Sequence, residues 1–130
     1  AKYEVVYGMV RYVKDEQECR ILFNRHEFLE SSMICHPGCF VSKKSYEDFG
    51  AFSTEYKYVS DYELMLRLYK HKEVVFTPVY DILADFSVGG VSSTCPSEIE
   101  NAKLRYRKGL ISRKKYLLKV VQARIKDIVG

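Results

Sequence analysis

No stretch of the chain approaches the roughly 18 consecutive apolar residues that a bilayer-spanning helix needs, so no membrane span is expected. No charged-then-apolar segment at the N-terminus reads as a signal peptide. The first residue is Ala1 rather than Met, as expected of a piece processed or cut from something longer. Tryptophan is absent, yet Tyr and Phe make up 14% of the residues, enough for a sizeable core. Cysteine occurs four times, at Cys19, Cys35, Cys39 and Cys95, with no second Cys pair and no His-x-x-x-His to complete a zinc site. Without a secretion signal the expectation is four reduced, mostly buried thiols. No internal repeat is visible either.

The composition that remains, 47% apolar and 29% charged in 130 residues, is an ordinary globular balance for one domain. The net charge of +4 is unevenly placed. Residues 101–130 hold ten of the 21 Lys/Arg and one of the 17 acids, Asp127, which leaves eleven cations against sixteen acids elsewhere. Such an asymmetry gives the C-terminal segment a different job or a different neighbour. We therefore divide the chain into residues 1–95 and a basic helical extension, 96–130.

The strongest local signal is Ser60-Asp61-Tyr62-Glu63. Ser60 and Glu63 have capping-box spacing, and Tyr62, Met65, Leu66 and Tyr69 follow at i, i+3, i+4, i+7, the mark of one buried helical face. Asp61 then falls at the first helical position, where the helix dipole favours negative charge. A carboxylate there can take a proton from a hydroxyl, or it can simply help cap the helix. Asp61-x-Glu63 is not a metal pair, because residues two apart on a helix do not face each other.

Upstream, alternation predicts a strand over 3–7 ending at Gly8, a second over 9–13, and a hairpin to 19–23 that sets Val10 and Tyr12 against Ile21 and Phe23. Asn24 is placed to cap a short helix through Leu29. Met33 to Gly38 reads as a loop in which Pro37 disfavours the helical conformation at His36 and Gly38 allows close backbone approach. Cys39 to Ser42 reads as a buried strand, and 43–49 as a helix ended by Gly50. Downstream, strands are expected at 73–76, closed by Pro78, and at 81–86. A Gly/Ser loop follows, then helices over about 97–108 and 111–129 with a break at Gly109. Leu117, Val120, Val121, Ile125 and Ile128 share helical spacing on the last, among Lys and Arg. That helix can pack on its own domain, or lie on an anionic membrane with its apolar face down. Nucleic acid ranks third, because no binding motif accompanies the charge.

His36 can be a loop histidine bonded to backbone, or stand at a pocket edge. Gly89-Gly90-Val91-Ser92 has the residue types of a phosphate-contacting loop but no Walker frame.

Taken together, five pieces in order resemble a known pattern: Val5 to Gly8, His36-Pro37-Gly38-Cys39-Phe40-Val41-Ser42-Lys43-Lys44, Tyr46 to Phe52, Ser60 to Leu68, and Gly89 to Ser92. This set is similar to the C-terminal, acceptor-side half of family 2 glycosyltransferases, inverting enzymes of GT-A fold, over residues 3–115. The resemblance implies an α/β fold. It would be a partial GT-A (nucleotide-diphospho-sugar transferase-like) mixed sheet flanked by helices, with a helical C-terminal tail. It implies that Asp61 is the general base, that His36 and Phe40 line the acceptor side, and that Gly89, Gly90 and Ser92 lie near the donor diphosphate. Arg67 falls at a position read as structural. The implied partners are a nucleotide-sugar donor and a hydroxyl acceptor, glycan or lipid-linked, in bacterial surface polysaccharide or glycolipid synthesis on the cytoplasmic side. The family holds Mg or Mn with an acidic Asp-x-Asp motif, and no such triplet occurs in this chain. The resemblance is thus to the second half of an enzyme, inactive by itself and expected to form a homo-oligomer that covers an exposed edge. The rival reading is a non-catalytic binding or assembly module whose basic tail contacts nucleic acid or membrane.

Overall fold

The computed structural model describes residues 2–34, 36–87 and 95–129. Four strands and four α-helices occur among these residues. In chain order they are β1 (Glu4–Lys14), β2 (Gln17–Leu22), β3 (Cys39–Val41), α1 (Lys43–Phe49), α2 (Ser60–Tyr69), β4 (Val75–Ser87), α3 (Cys95–Arg107) and α4 (Arg113–Val129). The class is mixed α/β with one mixed sheet. No helix among the described residues is long and apolar enough to cross a membrane. Internal contacts divide the chain into two units, Ala1–Phe52 with Leu64–Gly89, and Ser53–Glu63 with Gly90–Gly130.

The first unit is built on β1. β4 pairs with it in parallel from Glu4↔Val75 to Val13↔Ser87. Antiparallel β3 pairs with Val5 to Tyr7, and antiparallel β2 with Val10 to Lys14. Because β4 occupies one edge of β1 along both halves, β3 and β2 must share the other edge end to end. The expected break at Gly8 does not occur, and β1 is one strand of 11 residues. The strands expected at 73–76 and 81–86 are likewise one, β4, with Pro78 inside it. Between Tyr7↔Pro78 and Val10↔Ala84, β1 advances three residues while β4 advances six. Pro78 has no N–H to donate to the ladder, and this irregular stretch accommodates it. Gly8 faces the irregularity: a Cβ there would lie 2.5 Å from Leu83 Cδ1. Glycine keeps the strand continuous by letting Leu83 lie against it.

The hairpin forms, but one residue out of the expected register, with Val10↔Leu22 and Tyr12↔Arg20. Its two-residue turn sets that register, with Asp15 and Glu16 at φ 52° and 64°. The short helix expected from Asn24 to Leu29 is only one 3-10 turn, His26–Phe28. β3, expected to be buried, is not, and Phe40 is 60% exposed. Helix α1 matches expectation and ends at Gly50, whose φ of 91° disfavours any side chain. From α2, Leu64, Met65, Leu66 and Leu68 join Val5, Tyr7, Val10, Leu29 and Ile34 in the core. The helix is buried nearly all round rather than on one face, and Tyr69, expected on the buried face, is exposed. Arg67 donates from its two terminal nitrogens to the carbonyls of Phe49 (2.8 Å) and Ala51 (2.7 Å), holding the chain on both sides of Gly50. That arrangement agrees with a structural reading of Arg67.

The second unit is a helical pair. α3 buries Ala102, Leu104 and Ser97, and α4 buries Ala123. Tyr106 of α3 stacks on Tyr116 of α4 with centroids 5.0 Å apart and planes 6° from parallel. Gly109, at φ 74°, makes the turn between them. The aliphatic stripe of α4 is turned away from this packing. Leu117, Leu118, Val121, Ile125, Ile128 and Val129 are all more than half exposed.

Candidate functional site

Asp61 lies in the first turn of α2, half-buried, with its Oδ1 accepting the N–H of Tyr62 at 2.9 Å. The capping box is not how this helix starts. The Glu63 N–H donates to the Val59 carbonyl, which makes Val59 the cap residue and sets Ser60 inside the helix. Glu63, expected to reach back to the cap, is instead buried and pairs with Lys108 Nζ at 3.2 Å. The N–H groups of Tyr58 and Val59, just ahead of the helix, donate to Glu100 Oε1 of α3 at 2.6 and 2.9 Å. A distant carboxylate therefore takes the N–H of the cap residue, the task expected of Glu63. Only the fold brings Glu100 to this point, and no spacing in the sequence signals it.

The other expected site residues are placed unevenly. Phe40 stands exposed on β3. Cys39 beside it carries a thiol whose sulfur is 3.9 Å from that of Met65. The His36 backbone opens a 3-10 turn, His36–Gly38, and its side chain lies outside the described part. Gly38 meets its expectation: a Cβ there would come within 3.1 Å of Val10 Cγ2 and 3.4 Å of the Gly8 and Met9 carbonyls. Gly89, Gly90 and Ser92 lie outside the described residues, as do Cys35 and the side chains of Cys19 and Cys95. Among the described residues no group of three or more His, Cys, Asp or Glu could hold a metal ion.

A cluster that sequence reading missed surrounds His26 in the first unit. Tyr7 is fully buried, and its hydroxyl accepts the His26 backbone N–H at 2.8 Å and lies 2.7 Å from His26 Nδ1. Assigning the ring proton to Nε2, 3.0 Å from Glu27 Oε1, lets the hydroxyl donate to Nδ1. Arg25 grips the same carboxylate through two nitrogens and also donates to the Tyr80 hydroxyl. Phe23, Tyr69 and Phe76 complete an aromatic surround. Burial pushes the His26 ring below the usual imidazole range, assisted by Arg25 and opposed by Glu27. Burial likewise raises the Tyr7 phenol. The Arg25 guanidinium holds Glu27 below the ordinary carboxylate range. Carboxylate, imidazole and phenol are thus aligned, but the phenol is sealed from any substrate. The array pins the His26–Phe28 turn to β1.

In the second unit, Tyr56, Ile99, Lys103 and Arg124 line an open cleft of about 440 Å³. Its remaining polar wall includes Glu100, already engaged at the entrance to α2.

No protein-family model, no curated protein and no solved structure matches this chain.

Proposed function

We propose that this chain is the acceptor-side half of an inverting glycosyltransferase of GT-A type, acting on the cytoplasmic side with a nucleotide-sugar donor and a hydroxyl acceptor. The observation that carries the reading is Asp61, a half-buried carboxylate in the first turn of α2. It stands third among motifs that run from His36-Pro37-Gly38 to Gly89-Gly90-Val91-Ser92. Exposed Phe40 is available to an acceptor sugar, because a ring face packs well against apolar C–H groups. In the reaction, the acceptor oxygen attacks the anomeric carbon from the side opposite the nucleotide. The bond from that carbon to the diphosphate oxygen breaks, the nucleoside diphosphate leaves with the electron pair, and the acceptor proton passes to the Asp61 carboxylate. A cation on the donor diphosphate would be held by residues other than those described.

The test is a nucleoside-diphosphate release assay on the full-length parent across a panel of nucleotide sugars and hydroxyl acceptors. Asp61→Asn is expected to lower acceptor-dependent release by about 100- to 10,000-fold, the usual worth of a positioned base, with donor binding retained. Transfer by the variant at the wild-type rate would remove Asp61 from that role.

A further inference from the structure

We propose that α4 docks on an anionic lipid surface, with its exposed aliphatic stripe inserted at the headgroup boundary. The inference rests on the second unit alone and stands whether or not the chain transfers sugar. At about 100° per residue, Leu117, Ile128, Val121, Ile125, Leu118 and Val129 fall within an arc of about 120°. All six are more than half exposed. The opposite side of the helix, through Tyr116 and Ala123, faces the α3 packing. The stripe is therefore an unpartnered second face, not a misplaced core.

Charge identifies the occupant. The helix carries Arg113, Lys114, Lys115, Lys119, Arg124 and Lys126 against Asp127 alone, a balance of six minus one, or +5. On the same wheel Lys115 follows the stripe on one side, with Lys126 and Lys119 further round toward α3, Arg113 and Arg124 flank the other side, and Lys114 falls within the arc in the first turn, so cations surround the stripe. Of the six, only Lys126 is ion-paired among the described residues, to Glu98 at 3.2 Å. Long cationic side chains at the margins of an apolar stripe can reach up to phosphate while their stems follow the aliphatic surface. A second copy would set +5 against +5, which opposes antiparallel or parallel pairing of the two stripes. Nucleobases stack on aromatic faces, and the apolar residues of this stripe are all Leu, Val or Ile. An anionic bilayer satisfies both the apolar and the cationic requirement.

Co-sedimentation of the full chain with phosphatidylcholine vesicles, with and without phosphatidylglycerol, tests this. The wild type is expected to pellet with the anionic vesicles, to be released by high salt, and to stay in solution with neutral ones. Because each cation near such a surface is worth about fivefold in partition, Lys115→Glu with Lys119→Glu should weaken binding at least about 25-fold. Val121→Asp with Ile125→Asp should abolish it, and since both positions are exposed, the circular dichroism spectrum and melting temperature should not change. Equal pelleting with neutral vesicles, no pelleting at all, or binding by the Asp variant equal to wild type would each overturn the proposal. Concentration-dependent dimerisation lost in that variant, or salt-sensitive binding to single-stranded oligonucleotides without vesicle binding, would overturn it in favour of another occupant.

Discussion

Replacing Tyr7 by Phe removes one oxygen from a part-buried polar contact of the first unit. That oxygen sits 2.8 Å from the His26 backbone nitrogen and 2.7 Å from Nδ1. The ring stays, so the aliphatic and aromatic packing around it is preserved. Stranding a buried donor costs about 1–3 kcal/mol, and a net hydrogen bond contributes about 1 kcal/mol. The His26 side chain keeps 21% of its exposure, so water offsets part of this. The expected loss is about 2 kcal/mol, or a fall of about 10 °C in the melting temperature of a unit this size. Urea titration followed by circular dichroism measures it, and hydrogen exchange in the β1 peptide assigns it to this unit; the absence of tryptophan leaves no simple local fluorophore. The same titration against pH carries a sign. The folded state holds the His26 pKa below its ordinary value of 6.5, so the unfolded chain binds the proton first. The stabilisation is therefore complete above pH 6.5 and declines as pH falls through the depressed folded value. His26→Gln should remove that increment of the slope. A Tyr7→Phe protein within about 0.5 kcal/mol of wild type would refute the hydrogen-bond argument.

Lys108→Met takes one ionic partner from a carboxylate that is 9% exposed and should cost about 1–2 kcal/mol, less than for a fully buried pair. The double variant with Glu63→Gln should recover at least about 1 kcal/mol, read from a double-mutant cycle of urea midpoints. Gly50→Ala meets a φ of 91° and an Arg67 nitrogen 2.8 Å from the new Cβ. It should destabilise by about 3 kcal/mol, combining backbone strain with loss of the Arg67 bonds. A thermal melt unchanged from wild type would mean that Arg67 does not clamp the end of α1.

Residue order alone determined the features whose causes are local. Gly50 and Gly109 end helices because only glycine takes their φ angles cheaply, and Lys14 to Gln17 turns because nothing apolar interrupts it. The apolar content of α2 announced a buried helix, and Asp61 was legible as its first-turn acid. Contacts between distant residues decided the rest. Gly8 and Pro78 read as strand breakers, yet they lie in adjacent strands around one irregularity, where each excuses the other. Glu63 left the capping task its spacing suggested and Glu100 took it over, because the helical pair brought Lys108 to one and the entrance of α2 to the other. Tyr7 and His26, nineteen residues apart, share a hydroxyl that no spacing rule connects. The apolar period along α4 was visible in the sequence, but which arc meets α3 and which meets solvent is set by the Tyr106–Tyr116 stack. Periodicity defines a face, and only packing assigns it a neighbour.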